Sequence, residues 1–129
     1  MLASVLALLA VTEAGANTTT ATNNGNWADS IWDNGAPVAG DDVIVLAGRT
    51  VTNSAATPEL GSLTNNGTLV STGTNSIVSA TNINIAMGAI VTHATNADTN
   101  GADGWTPDNG IWIVCTNLTV NGSIIADGK

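Results

Sequence analysis

The sequence has no tyrosine and no phenylalanine, so its four tryptophans are the only aromatic residues. Charged residues make up 9% of the chain, whereas hydrophobic residues make up 43%. A chain with so few aromatic rings is poorly suited to a thick core, and small or β-branched side chains suit a thin, layered β structure. The composition therefore predicts an all-β protein with a narrow interior.

Cationic residues are almost absent. Two Lys and Arg residues stand against ten Asp and Glu residues, which gives a net charge of −8. Nucleic acids and anionic membrane surfaces are bound through Lys and Arg, because these residues neutralise phosphate groups. We therefore expect no nucleic-acid partner, and attraction to an anionic membrane is disfavoured.

Cysteine occurs once, at Cys115, within the apolar run "IWIVC" of residues 111–115. One cysteine excludes an intramolecular disulfide, and one cysteine with one histidine excludes a zinc cluster. The apolar surroundings favour a buried small side chain over a nucleophile. The single histidine, His93, follows an aliphatic stretch without a suitable catalytic partner nearby, so we expect a turn residue rather than a general base.

Residues 1–16 form an apolar leader. Its hydrophobic run, residues 2–11, is too short to cross a bilayer, and Ala14-Gly15-Ala16 fits the cleavage pattern of a secretory signal peptide. No basic residue precedes the run, so we expect either that the true start lies upstream or that the segment stays on the protein as a hydrophobic arm. The leader predicts a secreted or cell-surface protein without a transmembrane segment, with residues 17–129 as the folded module.

A repeat becomes visible when the chain is aligned on glycine. Four stretches each combine an aliphatic strand, a turn closing on glycine and a second aliphatic strand: "VIVLAGRTVT" (43–52), "LTNNGTLVST" (63–72), "INIAMGAIVT" (83–92) and "LTVNGSIIAD" (118–127). Their glycines, Gly48, Gly67, Gly88 and Gly122, are 19, 21 and 34 residues apart. This spacing predicts a right-handed parallel β-helix, also called a β-solenoid, of about four coils of roughly 20 residues.

The irregular spacing indicates an inserted loop. Residues 93–110 lack an apolar period and are rich in Gly, Asn and Asp, so we expect them to leave the solenoid at a corner. The alternative fold is an antiparallel sandwich, because Asn66-Gly67 and Asn121-Gly122 are favoured hairpin turns. After the last repeat no polar capping element follows, so we expect a C-terminal end that is truncated or uncapped and exposes strand edges.

The segment "WADSIWDNGAPVAGDDVIVLAGRTVT", with "LGSLTNNGTLV" and "IVSATNINIAMGAIVT" after it, resembles the eight-glycine module. That β-helical module occurs in fibrocystin-like and hyaluronan-depolymerising cell-surface proteins, and similar openings occur in bacterial secreted β-helix proteins and adhesins. The resemblance covers residues 27–92. Its matching positions are Trp32, Pro37, Gly40, Asp41, Asp42, Val43, Gly48, Leu60, Gly61, Ser62, Leu63, Gly67 and Gly88. The resemblance implies a non-catalytic module.

The best ligand candidate lies in the inserted loop, where Asp98, Asn100 and Asp103 surround a glycine. Calcium prefers such oxygen ligands, although a solvated turn has the same composition. We therefore expect either a calcium site, the only cofactor indicated, or a plain polar loop. Trp105 in the same loop is a candidate platform for a ligand such as a polysaccharide.

The remaining candidate residues have structural roles. We expect Asp41 and Asp42 to accept hydrogen bonds from backbone amides where the first coil begins, rather than to form a glycosidase carboxylate pair. We expect Trp27 and Trp32 to cover the N-terminal end of the solenoid, with sugar stacking as the alternative, and Trp112 to pack in the core or on its flank.

These features predict a non-catalytic structural module of a secreted or surface protein: an adhesin stalk, a matrix component or a scaffold that associates end to end. Polysaccharide and cell-surface or matrix components are the expected partners. One alternative is the non-catalytic N-terminal part of a carbohydrate-active β-helix enzyme. A weaker alternative is a filament subunit whose leader completes a neighbour's sheet.

Overall fold

A computed structural model describes residues 15–97 and 107–126. In these ranges the protein contains strands, turns and loops but no helix. The strands are β1 (Thr18–Ala21), β2 (Gly25–Asn26), β3 (Asp42–Val45), β4 (Thr50–Asn53), β5 (Leu60–Asn65), β6 (Thr68–Ser71), β7 (Ile77–Ile85), β8 (Ile90–His93), β9 (Trp112–Val120) and β10 (Ser123–Ile125). No helix in this part of the chain is long and apolar enough to cross a membrane.

The strands form two five-stranded sheets. The first has the order β1-β3-β5-β7-β9 and the second has the order β2-β4-β6-β8-β10, so consecutive strands lie in opposite sheets. Every strand pairing in both sheets is parallel. The predicted all-β, parallel class is therefore confirmed, and the antiparallel alternative is wrong, because the strands on either side of Gly67 belong to different sheets. This topology is typical of parallel β-helices and solenoids.

We call each pair of strands that follow one another, one from each sheet, a level, so that β1 and β2 form the first level and β9 and β10 the fifth. The four aligned repeats supply the second to fifth levels in register. In the first sheet Val43, Leu63, Ile83 and Leu118 occupy equivalent positions. In the second sheet the equivalent residues are Val51, Leu69, Val91 and Ile124.

The core is a narrow column of side chains between the two sheets. Strands β3, β4, β6 and β8 alternate half-buried with buried residues, as strands with one face on a core do. Val43, Val45 and Val51 are fully buried, and Leu63 and Leu69 are nearly so. Each level thus adds a thin layer of aliphatic side chains, which explains how the chain packs without Tyr or Phe.

Two kinds of turn alternate between the sheets. The second and fourth levels have wide turns, at residues 46–49 and 86–89, in which Gly48 and Gly88 have φ values of 75° and 82°. The third and fifth levels have tight turns at Asn66-Gly67 and Asn121-Gly122. A Cβ atom on Gly67 would collide with the carbonyl oxygens of Leu46 and Arg49 in the wide turn of the preceding level.

Gly122 lies in the same way on the wide turn of the fourth level, against the carbonyl oxygens of Ala86 and Ala89. The four glycines therefore have two different roles. Gly48 and Gly88 allow a left-handed backbone conformation, whereas Gly67 and Gly122 allow close contact between successive turns. The repeating unit defined by the turns is accordingly two levels long.

Candidate functional site

The predicted calcium ligands Asp98, Asn100 and Asp103 lie outside the residues that the structure describes, as does Trp105. The structure does describe the two segments that lead into and out of this region, residues 94–97 and 107–111. They connect β8 to β9, and they show how the predicted insertion joins the stack.

The two segments are held together by hydrogen bonds between side chains and backbone. The buried Asn96 side chain accepts a bond from the backbone N–H of Asn109 (2.7 Å), and Asp108 accepts one from the backbone N–H of Ala97 (2.8 Å). Asn109 donates from Nδ2 to the carbonyl of Thr95 (2.9 Å) and accepts from the N–H of Gly73 (2.7 Å). We call Asn96, Asp108 and Asn109 the neck; it fixes the base of the insertion to the third level.

A shallow cavity of about 150 Å³ lies beside the neck. Its lining residues are Thr74, Pro107, Asn109, Gly110, Ile111 and Trp112. Trp112 is 58% exposed, because it occupies an outward position of β9; the expectation that it packs in the core or on its flank is wrong. An exposed indole beside a cavity with polar groups can stack on the apolar face of a sugar ring.

The carboxylates of Asp41 and Asp42 hold the chain at the corner before β3. Asp41, which is 5% exposed, accepts hydrogen bonds from the backbone N–H groups of Asn17 (3.1 Å) and Val38 (2.9 Å). Asp42 accepts one from the hydroxyl of Ser62 in the next level (2.6 Å). Both carboxylates therefore have structural partners: Asp41 ties the loop after the buried residue Pro37 to the start of β1, and Asp42 connects its level to β5.

The other acidic side chains of the N-terminal region are engaged in a similar way. Asp33 accepts a hydrogen bond from the N–H of Thr20 (2.7 Å), and Asp29 accepts from the N–H and the side-chain amide of Asn26. Among the described residues no group of three or more His, Cys, Asp and Glu side chains is placed to hold a metal ion.

Comparisons of the chain with protein-family models, with curated proteins and with solved structures found no significant match. The resemblance to the eight-glycine module therefore stays a prediction.

A column of buried polar side chains runs through the second sheet. Asn53, Ser71 and His93 occupy equivalent positions at the ends of β4, β6 and β8, and all three are buried. His93 therefore ends a strand with its ring inside, where Nδ1 lies 2.7 Å from the carbonyl oxygen of Ala94. Cys115 is half-buried and packs against the core, and the structure pairs it with Ala80 in β7.

The two ends of the stack differ. At the N-terminal end, residues 31–34 run antiparallel along β1, and Trp32 pairs with Ala21 there. Trp32 donates from Nε1 to the carbonyl of Trp27 (2.8 Å), and the two rings meet edge to face with centroids 5.0 Å apart. Both tryptophans are buried, at 9% exposure or less, and belong to the core cluster. We call this the sealed end.

At the other end, the inward side chains of the fifth level are partly exposed. Leu118 and Val120 of β9 are 46% and 44% exposed, and Ile124 of β10 is 39% exposed. The residues beneath them in register, Ile83, Ile85 and Val91, are at most 3% exposed. We call the surface formed by Leu118, Val120 and Ile124 the open end.

Proposed function

We propose that the protein is a non-catalytic structural module of a secreted or cell-surface protein, built as a right-handed parallel β-helix with one coil per level. The observation that carries this proposal is the unbroken register of aliphatic positions through the levels, from Val43 to Leu118 in one sheet and from Val51 to Ile124 in the other. Right-handedness is supported by the strong preference of parallel β crossovers for that hand.

A scaffold role is supported by what the polar side chains do. A general acid or base must be free to reach a substrate, whereas the carboxylates of Asp41 and Asp42 bind backbone amides and a serine hydroxyl of the protein itself. The Asn82 and Asn117 amides on the outer face of the first sheet likewise bond to each other (2.8 Å) between successive levels. Polar groups here connect level to level.

An extension experiment tests the scaffold role. Duplicating residues 54–93, which contain the third and fourth levels, inserts a tight-turn level and a wide-turn level and so keeps the turns alternating. The ends also match, because His93 and Asn53 are equivalent in register. We expect a higher unfolding midpoint and a steeper dependence on denaturant, because each added level contributes an interface and buries more surface.

The matched control duplicates residues 54–71 alone, which sets one tight turn directly on another. In that variant the duplicated Gly67 meets a turn of a different shape, so we expect no gain in stability. Equal stabilisation by both duplications, or no stabilisation by the longer one, contradicts the proposal.

A second assay addresses catalysis. The protein is incubated with neutral and acidic polysaccharides, and reducing ends and unsaturated products are measured. We expect neither to increase. Turnover that disappears on replacing Asp41 or Asp42 with Asn, in a variant that stays folded, would contradict a non-catalytic role.

The exposed Trp112 favours the second candidate, a non-catalytic part of a carbohydrate-active β-helix protein. Replacing Trp112 with Ala tests it by affinity electrophoresis in gels that contain a polysaccharide. A carbohydrate-associated role is supported if polysaccharide in the gel slows the migration of the parent protein but not that of the variant. It is contradicted if polysaccharide slows neither protein.

A further inference from the structure

The cavity beside the neck is built by two successive connections of the stack. Thr74 belongs to the connection between β6 and β7, whereas Asn109 belongs to the connection between β8 and β9, and Trp112 is the first residue of β9. Asn109 ties the two connections together, because its Oδ1 accepts a hydrogen bond from the backbone N–H of Gly73 (2.7 Å). The cavity therefore lies at the side of the stack, and no residue of the open end lines it.

Gly110 sets the position of the Trp112 ring. A Cβ atom on Gly110 would lie 3.3 Å from Nε1 and 3.8 Å from Cδ1 of the indole, so this edge of the ring rests on the bare backbone of the glycine. The Trp112 side chain is nevertheless 58% exposed. Because the ring is held at one edge and lines the cavity, its exposed surface is an apolar platform at the opening.

The volume of the cavity corresponds to one six-membered ring. The cavity measures about 150 Å³, whereas pockets for drug-sized ligands measure roughly 300–1,000 Å³. An engineered protein cavity of roughly 150 Å³ holds one benzene molecule, so a volume of this size admits a single ring. Since the cavity is shallow, substituents of such a ring reach solvent, and so do further units of a chain.

Polar groups border the same space. Thr74 is exposed, and its hydroxyl both donates and accepts hydrogen bonds. Among the described residues the Asn109 Nδ2 donates to one partner, the carbonyl of Thr95, and an amide nitrogen carries two hydrogens. Pro107 and Ile111 add apolar surface. An aromatic platform with neutral hydrogen-bonding groups beside it matches a pyranose ring, which has an apolar face and a rim of hydroxyl groups.

The charge of the protein favours an uncharged ligand. The chain contains two Lys and Arg residues, Arg49 and Lys129. Arg49 lies in the wide turn after β3, at the opposite end of the first sheet's strands from Trp112, and Lys129 lies outside the described residues. Asp108 instead stands next in sequence to two of the lining residues. A carboxylate on the ligand would therefore meet repulsion without a compensating cation.

We propose that this cavity binds one ring of a neutral sugar, whose apolar face stacks on Trp112 and whose hydroxyl groups bond to Thr74 and Asn109. The proposal rests on the carbohydrate-associated role given above as the second candidate. It adds the class of sugar, the size of the subsite and the polar partners.

Saturation-transfer difference NMR of the full chain tests the proposal. The probes are the methyl glycosides of glucose, galactose and mannose, and methyl glucuronide is the anionic counterpart of methyl glucoside. For a ligand of about a dozen non-hydrogen atoms we expect a dissociation constant of about 1 mM, so each probe is titrated to about 20 mM. We expect at least one neutral glycoside to bind, with the strongest saturation on the protons of one ring face, and the glucuronide to bind at least about threefold more weakly than the glucoside.

Two variants remove the proposed contacts. Trp112→Ala removes the platform, and Thr74→Val removes the hydroxyl while keeping the shape of the side chain. The matched control is Val114→Ala, because Val114 is 57% exposed on the same outward face of β9 but does not line the cavity. We expect the dissociation constant to rise at least about tenfold in Trp112→Ala and about fivefold in Thr74→Val, and to stay within about twofold of the parent in the control.

Circular dichroism of every variant checks that the β structure is intact, and Thr74→Val provides the test if Trp112→Ala does not fold. Four results overturn the proposal: no saturation of any neutral glycoside, unchanged binding in both Trp112→Ala and Thr74→Val, an equal loss in Val114→Ala, or a glucuronide that binds as tightly as the glucoside. Retardation by polysaccharide that depends on Trp112, without binding of the methyl glycosides, would overturn the single-ring site and leave the carbohydrate-associated role standing. The extension experiment uses no ligand, so failure of this site is also distinguishable from failure of the scaffold.

Discussion

Replacing Gly67 with Ala tests the close contact between a tight turn and the wide turn of the preceding level. The added Cβ would collide with the carbonyl oxygens of Leu46 and Arg49 and would lie 3.2 Å from a methyl group of Val45. These carbonyls are not free to move, because Leu46 accepts a hydrogen bond from Arg49 (3.0 Å) and Arg49 accepts one from Thr68 (2.8 Å).

The cost follows from these contacts. Overpacking by one methyl group typically costs about 1–3 kcal/mol, and weakening two backbone hydrogen bonds adds about 1 kcal/mol each, so we expect a loss of about 3–5 kcal/mol in the free energy of unfolding. For a domain of this size that loss corresponds to a melting temperature lower by roughly 12–20 °C.

Gly48→Ala is the matched control. Gly48 has a φ of 75°, but no atom lies within 4 Å of the position of an added Cβ, so only the backbone conformation is penalised. We expect a loss of about 1 kcal/mol for this variant. Gly122→Ala repeats the collision at the open end, where the three-residue strand β10 is covered on one side only and can shift, so we expect a loss of about 1–2 kcal/mol.

Chemical and thermal denaturation of the three variants, followed by circular dichroism, provides the measurement. The order of the losses matters more than their size. If Gly67→Ala is no more destabilising than Gly48→Ala, the contact between successive turns is not close enough to require glycine, and the two roles assigned to the glycines are wrong.

Three further predictions concern the sealed end, the neck and the inserted loop. Trp32→Ala should lower the free energy of unfolding by about 3–5 kcal/mol, since it uncovers the first level. Trp32→Phe should cost less, because it keeps a ring and loses only the hydrogen bond to Trp27. Equal losses for the two variants in chemical denaturation would contradict the covering role of the ring. Asn109→Ala should remove the side-chain hydrogen bonds to Thr95 and Gly73. We expect proteolytic cleavage within the insertion to become several-fold faster while the melting temperature changes little. An unchanged cleavage rate would show that the neck does not restrain the insertion. If Asp98, Asn100 and Asp103 bind calcium, a calcium concentration 100 times the dissociation constant should raise the free energy of unfolding by about 2.7 kcal/mol. The double variant Asp98→Asn with Asp103→Asn should abolish this increase. A parent protein whose unfolding does not depend on calcium would contradict the site.

The parallel register was predictable because it is set by a pattern that repeats along the chain. Val43, Leu63, Ile83 and Leu118 stand at equivalent points of the aligned stretches, and the structure pairs them in the same order. The first level was not part of the predicted repeat. Its strand β1 has the sequence TTTA, and it lacks both the aliphatic pattern and the glycine turn of the other levels.

The alternation of turns was not predictable from glycine spacing. Gly48 and Gly67 are aligned in sequence, yet they are glycine for different reasons. Gly48 has a positive φ, whereas a Cβ atom on Gly67 would collide with the turn of the preceding level. The sequence alone does not show which of these two requirements applies at a given glycine. The neck was missed because Asn96, Asp108 and Asn109 bond to backbone groups far along the chain. Asparagine and aspartate in a loop look the same whether or not such bonds form. The alternating pattern of β9 does contain a signal for Trp112, because Ile113 and Cys115 take the inward positions.

Because the neck fixes both ends of the connection between β8 and β9, the sequence within this connection is replaceable. Its base is tied by the side chains of Asn96, Asp108 and Asn109, and the entropy of closing a loop rises slowly with the length of the loop. A peptide of foreign sequence could therefore be carried between these two positions while the layers beneath keep their alignment, which makes this connection the natural place to display an epitope on the scaffold.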